Sequence, residues 1–425
     1  MIVSRDHPAR SRLDLEERLP LPLCSPIGYQ LLETIRQSET ISRADLARQT
    51  GHSRSTVSEE VDSLIAQNLV SELGLGSSSG GRPPRLLTFN SNAGEAVAVH
   101  LGEESMTVAV TDLRCTILCS HHDVICLTAG PDVILPRVVD AIKALLARIK
   151  HRSMPYLFGI SIGLPGAFDC DPSGALISPV LSVWNGVRIQ AYFERHLQCS
   201  VHVAQDASLK ALGEALSGLG CGRSDFVYLN LDRSIGCGVI ANGHVYHGAH
   251  GHAGDLAHMC IDPQGPVCTC GHRGCLDVMA SGQAIIKHAE DMVMSGEETL
   301  LTAPYGEHGY LGFEDVLGAA LDGDIAVLGM VADVAGLIGK ALSYVISMVN
   351  PSLVIVGGCL TQFGDQFLVT LQESLELWSS PRTFAPVTIM PSRMGQTSCL
   401  VGGAGMCIHK VLAHDSRVQR LSIFT

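Results

Sequence analysis

The sequence predicts a two-part α/β protein, in which a winged helix-turn-helix head precedes a larger body of two related lobes. The head is predicted by helical segments joined at Gly51 and by a Gly/Ser-rich stretch between two strand-like segments. Two strand–glycine turn–strand units, at residues 96–113 and 226–248, predict two α/β lobes around a cleft. We therefore expect four parts: an N-terminal extension at 1–24, the head at 25–90, the body at 91–412 and a tail at 413–425.

Chain length indicates the number of domains, and the charge distribution indicates which part of the chain could contact nucleic acid. A chain of 425 residues exceeds a single core, so two or three domains are expected. The net charge of −13 argues against a broad nucleic-acid surface, but it is unevenly distributed. The first 90 residues hold ten arginines, no lysine and eleven acidic residues, so the head is nearly neutral and the body acidic. This distribution allows DNA contact by the head alone.

The compartment follows from the apolar segments and the cysteines. No apolar run approaches the roughly 18 residues of a membrane span, and the N-terminus lacks a secretory signal. Most of the 15 cysteines stand singly in apolar surroundings, where free thiols are common. We expect a cytoplasmic, reduced protein without membrane insertion.

Helix caps and turn residues predict the head. Ser42 and Ser53 suit the caps of two short helices, and Gly51 ends the first of them. The second helix would present its first turns to the major groove of operator DNA. The predicted DNA contacts here are Arg43, Arg54, Ser55, Thr56 and Ser58. An ordinary helical hairpin is the alternative interpretation.

A predicted wing, residues 73–86, follows these helices. Within "GGRPP" the prolines keep the backbone extended and the glycines let it approach closely, which suits insertion of Arg82 into a narrow minor groove. A flexible linker between domains is the alternative, and the two roles are compatible.

Five stretches of the body carry a resemblance to a known family. They are "GLPGAFD", "AQDASLKALGEA", "GHVYHGAHGHAGDLAH", "CTCGHRGCLDVMASG" and "NPSLVIVGG". With the winged helix ahead of them, the chain resembles the ROK family, in its branch of sugar-responsive repressors. The resemblance implies an actin-like (ribonuclease H-like), two-lobed body of the sugar-kinase type.

The "CTCGHRGC" stretch predicts a metal site. With an upstream histidine it supplies four soft or borderline ligands, as in tetrahedral zinc sites: His258, Cys268, Cys270 and Cys275. Four protein ligands leave no position for a reactive water, so the zinc is expected to be structural. Three free thiols without metal are the alternative, and His272 is a possible substitute ligand.

The resemblance also implies a hexose-type ligand. The positions that match the family's sugar-binding motifs are Gly166, Gln205, Asp206, Asp255, His258 and Asp277. Carboxylates suit this role because they accept hydrogen bonds from neighbouring hydroxyls. Glutamine replaces the family's asparagine at 205, and aspartate replaces its glutamate at 255 and 277, so the pocket is reshaped. Trp184 either packs on the ligand or lies in the core.

The phosphate-binding loops depart from the kinase pattern. Asp206 stands at the family's general-base position, but phosphoryl transfer also needs backbone donors and a metal around the phosphates. The first loop reads "HLGEES" where the kinases have Asp-x-Gly-Gly-Thr, and the second reads "DRSIGCG" in place of a glycine-rich loop. These changes add carboxylates and larger side chains where phosphates would bind. We therefore expect a sensor without catalytic residues, and an ATP-dependent sugar kinase with an added DNA-binding head is the alternative.

The predicted function is regulation of transcription in response to a sugar. We expect it to repress carbohydrate uptake or catabolism genes, bound to operator DNA as a homodimer or dimer of dimers. A transporter component is a further possible partner, since some members of the family respond to one.

Overall fold

The computed structural model describes residues 24–75, 85–149, 156–178, 180–384 and 387–413. The helices are α1 (Pro26–Gln37), α2 (Arg43–Thr50), α3 (Arg54–Ala66), α4 (Pro131–Ile149), α5 (Ile189–Leu197), α6 (Asp206–Ser217), α7 (Leu276–Ala280), α8 (Gly282–Met294), α9 (Thr302–His308), α10 (Phe313–Leu321), α11 (Ile325–Val349), α12 (Asp365–Trp378), α13 (Pro381–Phe384) and α14 (Thr397–Leu412). The strands are β1 (Ile41–Ser42), β2 (Val70–Leu75), β3 (Arg85–Phe89), β4 (Gly94–Leu101), β5 (Ser105–Asp112), β6 (Ile117–Val124), β7 (Tyr156–Leu164), β8 (Asp169–Cys170), β9 (Leu176–Ile177), β10 (Val201–Gln205), β11 (Phe226–Leu231), β12 (Ile235–Ala241), β13 (His244–Val245), β14 (Leu353–Gly357) and β15 (Thr388–Pro391).

The head is a winged helix-turn-helix, and its caps are the predicted ones. The Ser42 hydroxyl accepts a hydrogen bond from the Asp45 amide, and the Ser53 hydroxyl accepts one from the Thr56 amide. Gly51 ends α2 in the left-handed conformation, with φ of 75°. Strands β2 and β3 pair antiparallel, with β1 on the other side of β3. Residues 76–84, which hold most of the predicted wing and Arg82, lie outside the described residues.

The two sheets of the body share one topology, as the repeated sequence units predict. Their strand orders are β10-β7-β4-β5-β6 and β13-β12-β11-β14-β15. In each sheet the first three strands form an antiparallel meander, and the two later strands run parallel to the first. The body therefore consists of two related α/β lobes.

Helices α6 and α14 pack against each other with their backbones in contact. A methyl group on Gly213 of α6 would lie 1.9 Å from the Ser398 carbonyl oxygen, and one on Gly402 of α14 would lie 1.9 Å from the Leu209 carbonyl oxygen. Only glycine allows so close an approach. The two helices therefore form one tightly packed pair.

Helix α14 also packs on the head. Val401, Ile408 and neighbouring residues of α14 share an apolar cluster with the head helices, including Leu31. The Tyr29 hydroxyl lies 2.5 Å from His409 Nδ1, and the Arg114 guanidinium donates a hydrogen bond to the Arg36 carbonyl. The head is thus attached to the body through the helix that packs on α6.

Helix α11 corrects one expectation from the sequence. Its 25 residues are long and apolar enough to cross a membrane by length and composition, although Asp333 and Lys340 interrupt them. The prediction that no segment is so apolar was therefore wrong. One face of α11, including Val334, Ile338 and Leu342, is buried in the core of the second lobe. Burial in a core explains the composition of this helix.

Candidate functional site

Two loop segments of the second lobe pair with each other beside the interlobe cleft. The Ile261 amide donates to the Gly274 carbonyl at 2.7 Å, and the Leu276 amide donates to the Met259 carbonyl at 2.9 Å. Gly274 has φ of 62°, and a Cβ there would lie 1.5 Å from the Asp262 carbonyl oxygen, so this pairing requires glycine. The pairing places the "CTCGHRGC" segment next to the upstream histidine.

The four predicted metal ligands form one group. The ligand atoms of His258, Cys268, Cys270 and Cys275 all lie within 4.8 Å of one another. Cys268 Sγ is 3.5 Å from His258 Nδ1, and Cys270 Sγ is 3.6 Å from Cys275 Sγ. Two thiolates on tetrahedral zinc are roughly 3.8 Å apart, so the spacing and the donor set fit that ion. His272 Nδ1 lies 3.6 Å from Cys270 Sγ, at the edge of this group.

All six residues predicted to bind ligand line one pocket of the cleft: Gly166, Gln205, Asp206, Asp255, His258 and Asp277. They reach it from separate segments. Gln205 ends β10 and Asp206 begins α6, while Asp277 lies in the first turn of α7. The Asp277 carboxylate accepts a hydrogen bond from the Ile235 amide at 2.8 Å, which fixes one wall of the pocket. Their binding roles remain predictions.

Asp206 is buried and already bonded by protein groups. Its Oδ1 accepts a hydrogen bond from the Ala207 amide at 2.8 Å, and its Oδ2 accepts one from Lys210 Nζ at 3.0 Å. His100 Nε2 lies 3.6 Å from the same Oδ2. Burial alone would raise the pKa of Asp206, but the Lys210 ammonium and His100 outweigh it and hold that pKa well below its usual range.

Sequence reasoning missed Lys210. Its ammonium also donates to Asn230 Oδ1 at 3.0 Å, and it lines the cleft next to the pocket. The signal was available, because a lysine four residues after an aspartate lies on the same face of a helix. "DASLK" has that spacing.

The two turns that match the kinase phosphate loops are bonded to each other across the cleft. The Glu104 carboxylate of one lobe and the Arg233 guanidinium of the other form an ion pair of 2.5 Å. The Glu103 carboxyl shares a hydrogen bond with Ser234, and burial is the main cause that raises the pKa of Glu103. The sequence indicated only that these carboxylates would repel a triphosphate, because the pairing depends on how the lobes face each other.

The predicted DNA-contacting residues differ in their surroundings. Arg54 and Ser55 are exposed in the first turn of α3, where Ser55 and Thr56 contact the capping Ser53 hydroxyl. A separate group surrounds Arg43, whose guanidinium contacts Ser58, Asp62 and Glu72. Arg43 therefore bridges α2, α3 and β2 within the head. Its contact with DNA remains a prediction.

Trp184 belongs to the core. The side chain is fully buried in the first lobe, and its indole nitrogen donates to the Leu127 carbonyl at 2.9 Å. Of the two interpretations of this residue, packing in the core is the correct one.

The chain is similar to proteins of two kinds. Over 383 residues it is 28% identical to the xylose repressor of Bacillus spizizenii, covering 90% of this chain and 94% of that protein. Over 275 residues it is 30% identical to the glucokinase of Halalkalibacterium halodurans, covering 64% of this chain and 83% of that protein. A solved ROK family transcriptional regulator, a homologue of the Escherichia coli MLC protein, has the same fold with a TM-score of 0.77 at 24% identity, covering 91% of this chain and 97% of that one.

Two family patterns account for the two parts of the chain. The pattern of the MarR family matches residues 25–74, which is the winged helix-turn-helix. The pattern of the ROK family matches residues 96–410, about three quarters of the chain. The chain belongs to the ROK family.

Proposed function

We propose that the protein is a sugar-responsive transcriptional regulator, a repressor of carbohydrate uptake or catabolism genes. One observation carries the proposal: the pocket residues of the body lie next to α6, which packs on the helix that attaches a winged helix-turn-helix. The head binds operator DNA in the cytoplasm, and two heads of a homodimer, or of a dimer of dimers, read two half-sites.

The ligand that we propose is an uncharged sugar. Three carboxylates line the pocket, those of Asp206, Asp255 and Asp277, and they accept hydrogen bonds from neighbouring hydroxyls. A phosphate placed among them would be repelled. Free aldoses and N-acetylated amino sugars are therefore preferred to their phosphates.

The same pocket would bind without catalysing phosphoryl transfer. A general base works best with a pKa near the operating pH, whereas the Lys210 ammonium opposes proton uptake by Asp206. The turns that would surround a triphosphate carry Glu103, Glu104 and Asp232. The alternative function, an ATP-dependent sugar kinase with an added DNA-binding head, is favoured by the likeness to a glucokinase.

Ligand binding reaches the head through the helix pair. Asp206 begins α6, and α6 is in backbone contact with α14, whose far end holds His409 against Tyr29 of the head. A ligand that binds one arrangement of the lobes better than another shifts the population of head positions.

The metal in this proposal is structural zinc. His258, Cys268, Cys270 and Cys275 would hold it, and as a closed four-ligand site it would fix the loops that carry Asp255 and Asp277. The chemistry that zinc supplies there is cross-linking of these loops.

The test starts from DNA selection with the purified protein on a random duplex library. Anisotropy on the selected site then follows release by D-xylose, D-glucose, N-acetyl-D-glucosamine and their phosphates, with ADP production measured in parallel. We expect a site with paired half-sites and release by a free sugar. Sugar-dependent ADP production without site selection would establish the kinase instead, and release only by a transporter component would identify a protein effector.

A matched pair of variants assigns the DNA contact to the head. Arg54→Ala should weaken operator binding by about tenfold or more, as expected for loss of a base contact. Arg195→Ala removes an exposed arginine from α5 of the body and should leave operator binding unchanged. Equal effects of the two substitutions would contradict readout by α3.

A further inference from the structure

Lys210 is a buried lysine one helical turn after Asp206. Its side chain is only 4% exposed, and lysine is almost never this buried unless it is paired. It lines two cavities next to the pocket that holds the six predicted ligand-binding residues, and it is absent from the lining of that pocket. The proposed function therefore gives it no direct contact with the ligand.

The contacts of Lys210 fix the orientation of Asp206. The ammonium is held from two sides, by Asp206 Oδ2 in the same helix and by Asn230 Oδ1 on β11, each at 3.0 Å. Because the Ala207 amide donates to Oδ1, each carboxylate oxygen of Asp206 has its own protein donor. A carboxylate bonded at both oxygens does not rotate freely.

We propose that Lys210 is a positioning residue, which fixes the carboxylate of Asp206 in the orientation that accepts a hydrogen bond from a hydroxyl of the ligand. The inference rests on the proposed function, because it requires a sugar in the pocket. A carboxylate oxygen can accept a second hydrogen bond, so the ligand binds without displacing Lys210. The positive charge of Lys210 keeps Asp206 ionised, which favours accepting a hydrogen bond over taking up the proton.

The experiment measures sugar affinity by calorimetry for the full chain and for Lys210→Ala. The probe is whichever of D-xylose, D-glucose and N-acetyl-D-glucosamine binds the wild type. We expect affinity to fall at least about tenfold, as for loss of a charged hydrogen-bond partner. Propylammonium chloride should restore part of it by supplying the missing ammonium in the vacated space. Equal amounts of 1-propanol or sodium chloride should not.

Three results would overturn the inference: unchanged affinity, equal recovery with 1-propanol, or a loss that no additive reverses. The last two would give Lys210 a merely structural role. If Lys210→Ala does not fold, Asn230→Ala releases one anchor of the ammonium and leaves the charge pair intact. Its affinity should fall about threefold to tenfold, and an unchanged value would overturn the inference. A wild type that binds none of the sugars would instead overturn the proposed function, and this inference with it.

Discussion

The two ends of the interlobe cleft differ in what their carboxylates contact. At the pocket end, Asp255 is exposed at the rim and Asp277 accepts a single amide hydrogen bond. At the other end, Glu104 pairs with Arg233, and Glu103 shares a hydrogen bond with Ser234 across the cleft. The first arrangement leaves acceptors available to a ligand, whereas the second uses them to join the lobes.

Asp206 lies where these two ends meet. It lines both the pocket and the adjacent cavity, as Ser234 does, and it is the carboxylate that the two share. In a kinase such a residue would take a proton from one side while phosphate arrived from the other. Here Lys210 Nζ lies 3.0 Å from Asp206 Oδ2, and Nε2 of His100, near the end of β4, lies 3.6 Å from the same oxygen. At Asp206, too, a protein cation already pairs with the carboxylate, as Arg233 does with Glu104.

The largest effect is expected from the metal group that supports the pocket end. Cys270→Ser should remove the metal and lower the free energy of unfolding by at least about 3 kcal/mol, since structural zinc contributes on the order of 10 kcal/mol of apparent binding free energy to folding. Metal analysis of the purified protein and urea denaturation measure the two changes.

Cys260→Ser is the matched control for that substitution. Cys260 lies in the same loop, is exposed and is outside the metal group. It should retain the metal and the stability of the wild type. Retention of one equivalent of zinc by Cys270→Ser would contradict the four-ligand site, and His272, 3.6 Å from Cys270, would then be the ligand to substitute next.

The helix caps of the head, the fold of the lobes and the group of metal ligands were predictable from short, local sequence patterns. The serine caps, Gly51 and the strand–turn–strand units use contacts within a few residues, and the structure has them as predicted. The metal group was predictable because three of its ligands lie within eight positions. The histidine stands ten residues before the first of these cysteines, so the same short segment predicted it as well.

Long-range charge pairing was not predictable in the same way. The sequence indicated additional carboxylates in the loops of the body, but their pairing depends on how the lobes face each other. Glu104 and Arg233 are far apart in sequence, and so are Lys210 and Asn230. In the head, the ion pairs of Arg43 with Asp62 and Glu72 were not predictable for the same reason, since they join separate elements.

Substituting one carboxylate at each end of the cleft should have an intermediate effect, and the effect on sugar affinity should differ between the two ends. Asp255→Asn removes a charge at the pocket rim and should weaken sugar binding by about tenfold to a hundredfold, because hydrogen bonds to charged groups contribute about 1.5–3 kcal/mol. Glu103→Gln makes the matched change at the other end and should alter the affinity by less than about twofold. Calorimetry with the same free sugar measures both. A larger loss of sugar affinity in Glu103→Gln than in Asp255→Asn would place the sugar site at the Glu103 end of the cleft.

The smallest effect is expected from breaking the ion pair that joins the lobes. Glu104 is 64% exposed and Arg233 is 29% exposed, so water and salt screen their attraction. Arg233→Gln should lower the free energy of unfolding by less than about 1 kcal/mol, and added salt should reduce that difference further. Urea denaturation at low and high salt measures it, with Arg195→Gln as the exposed control. A loss above about 2 kcal/mol, beyond the usual range for exposed pairs, would mean that the pair holds the lobes together rather than only accompanying their closure. The cleft would then be closed at this end by the charges that replace the kinase loop residues, and its opening would depend on Arg233.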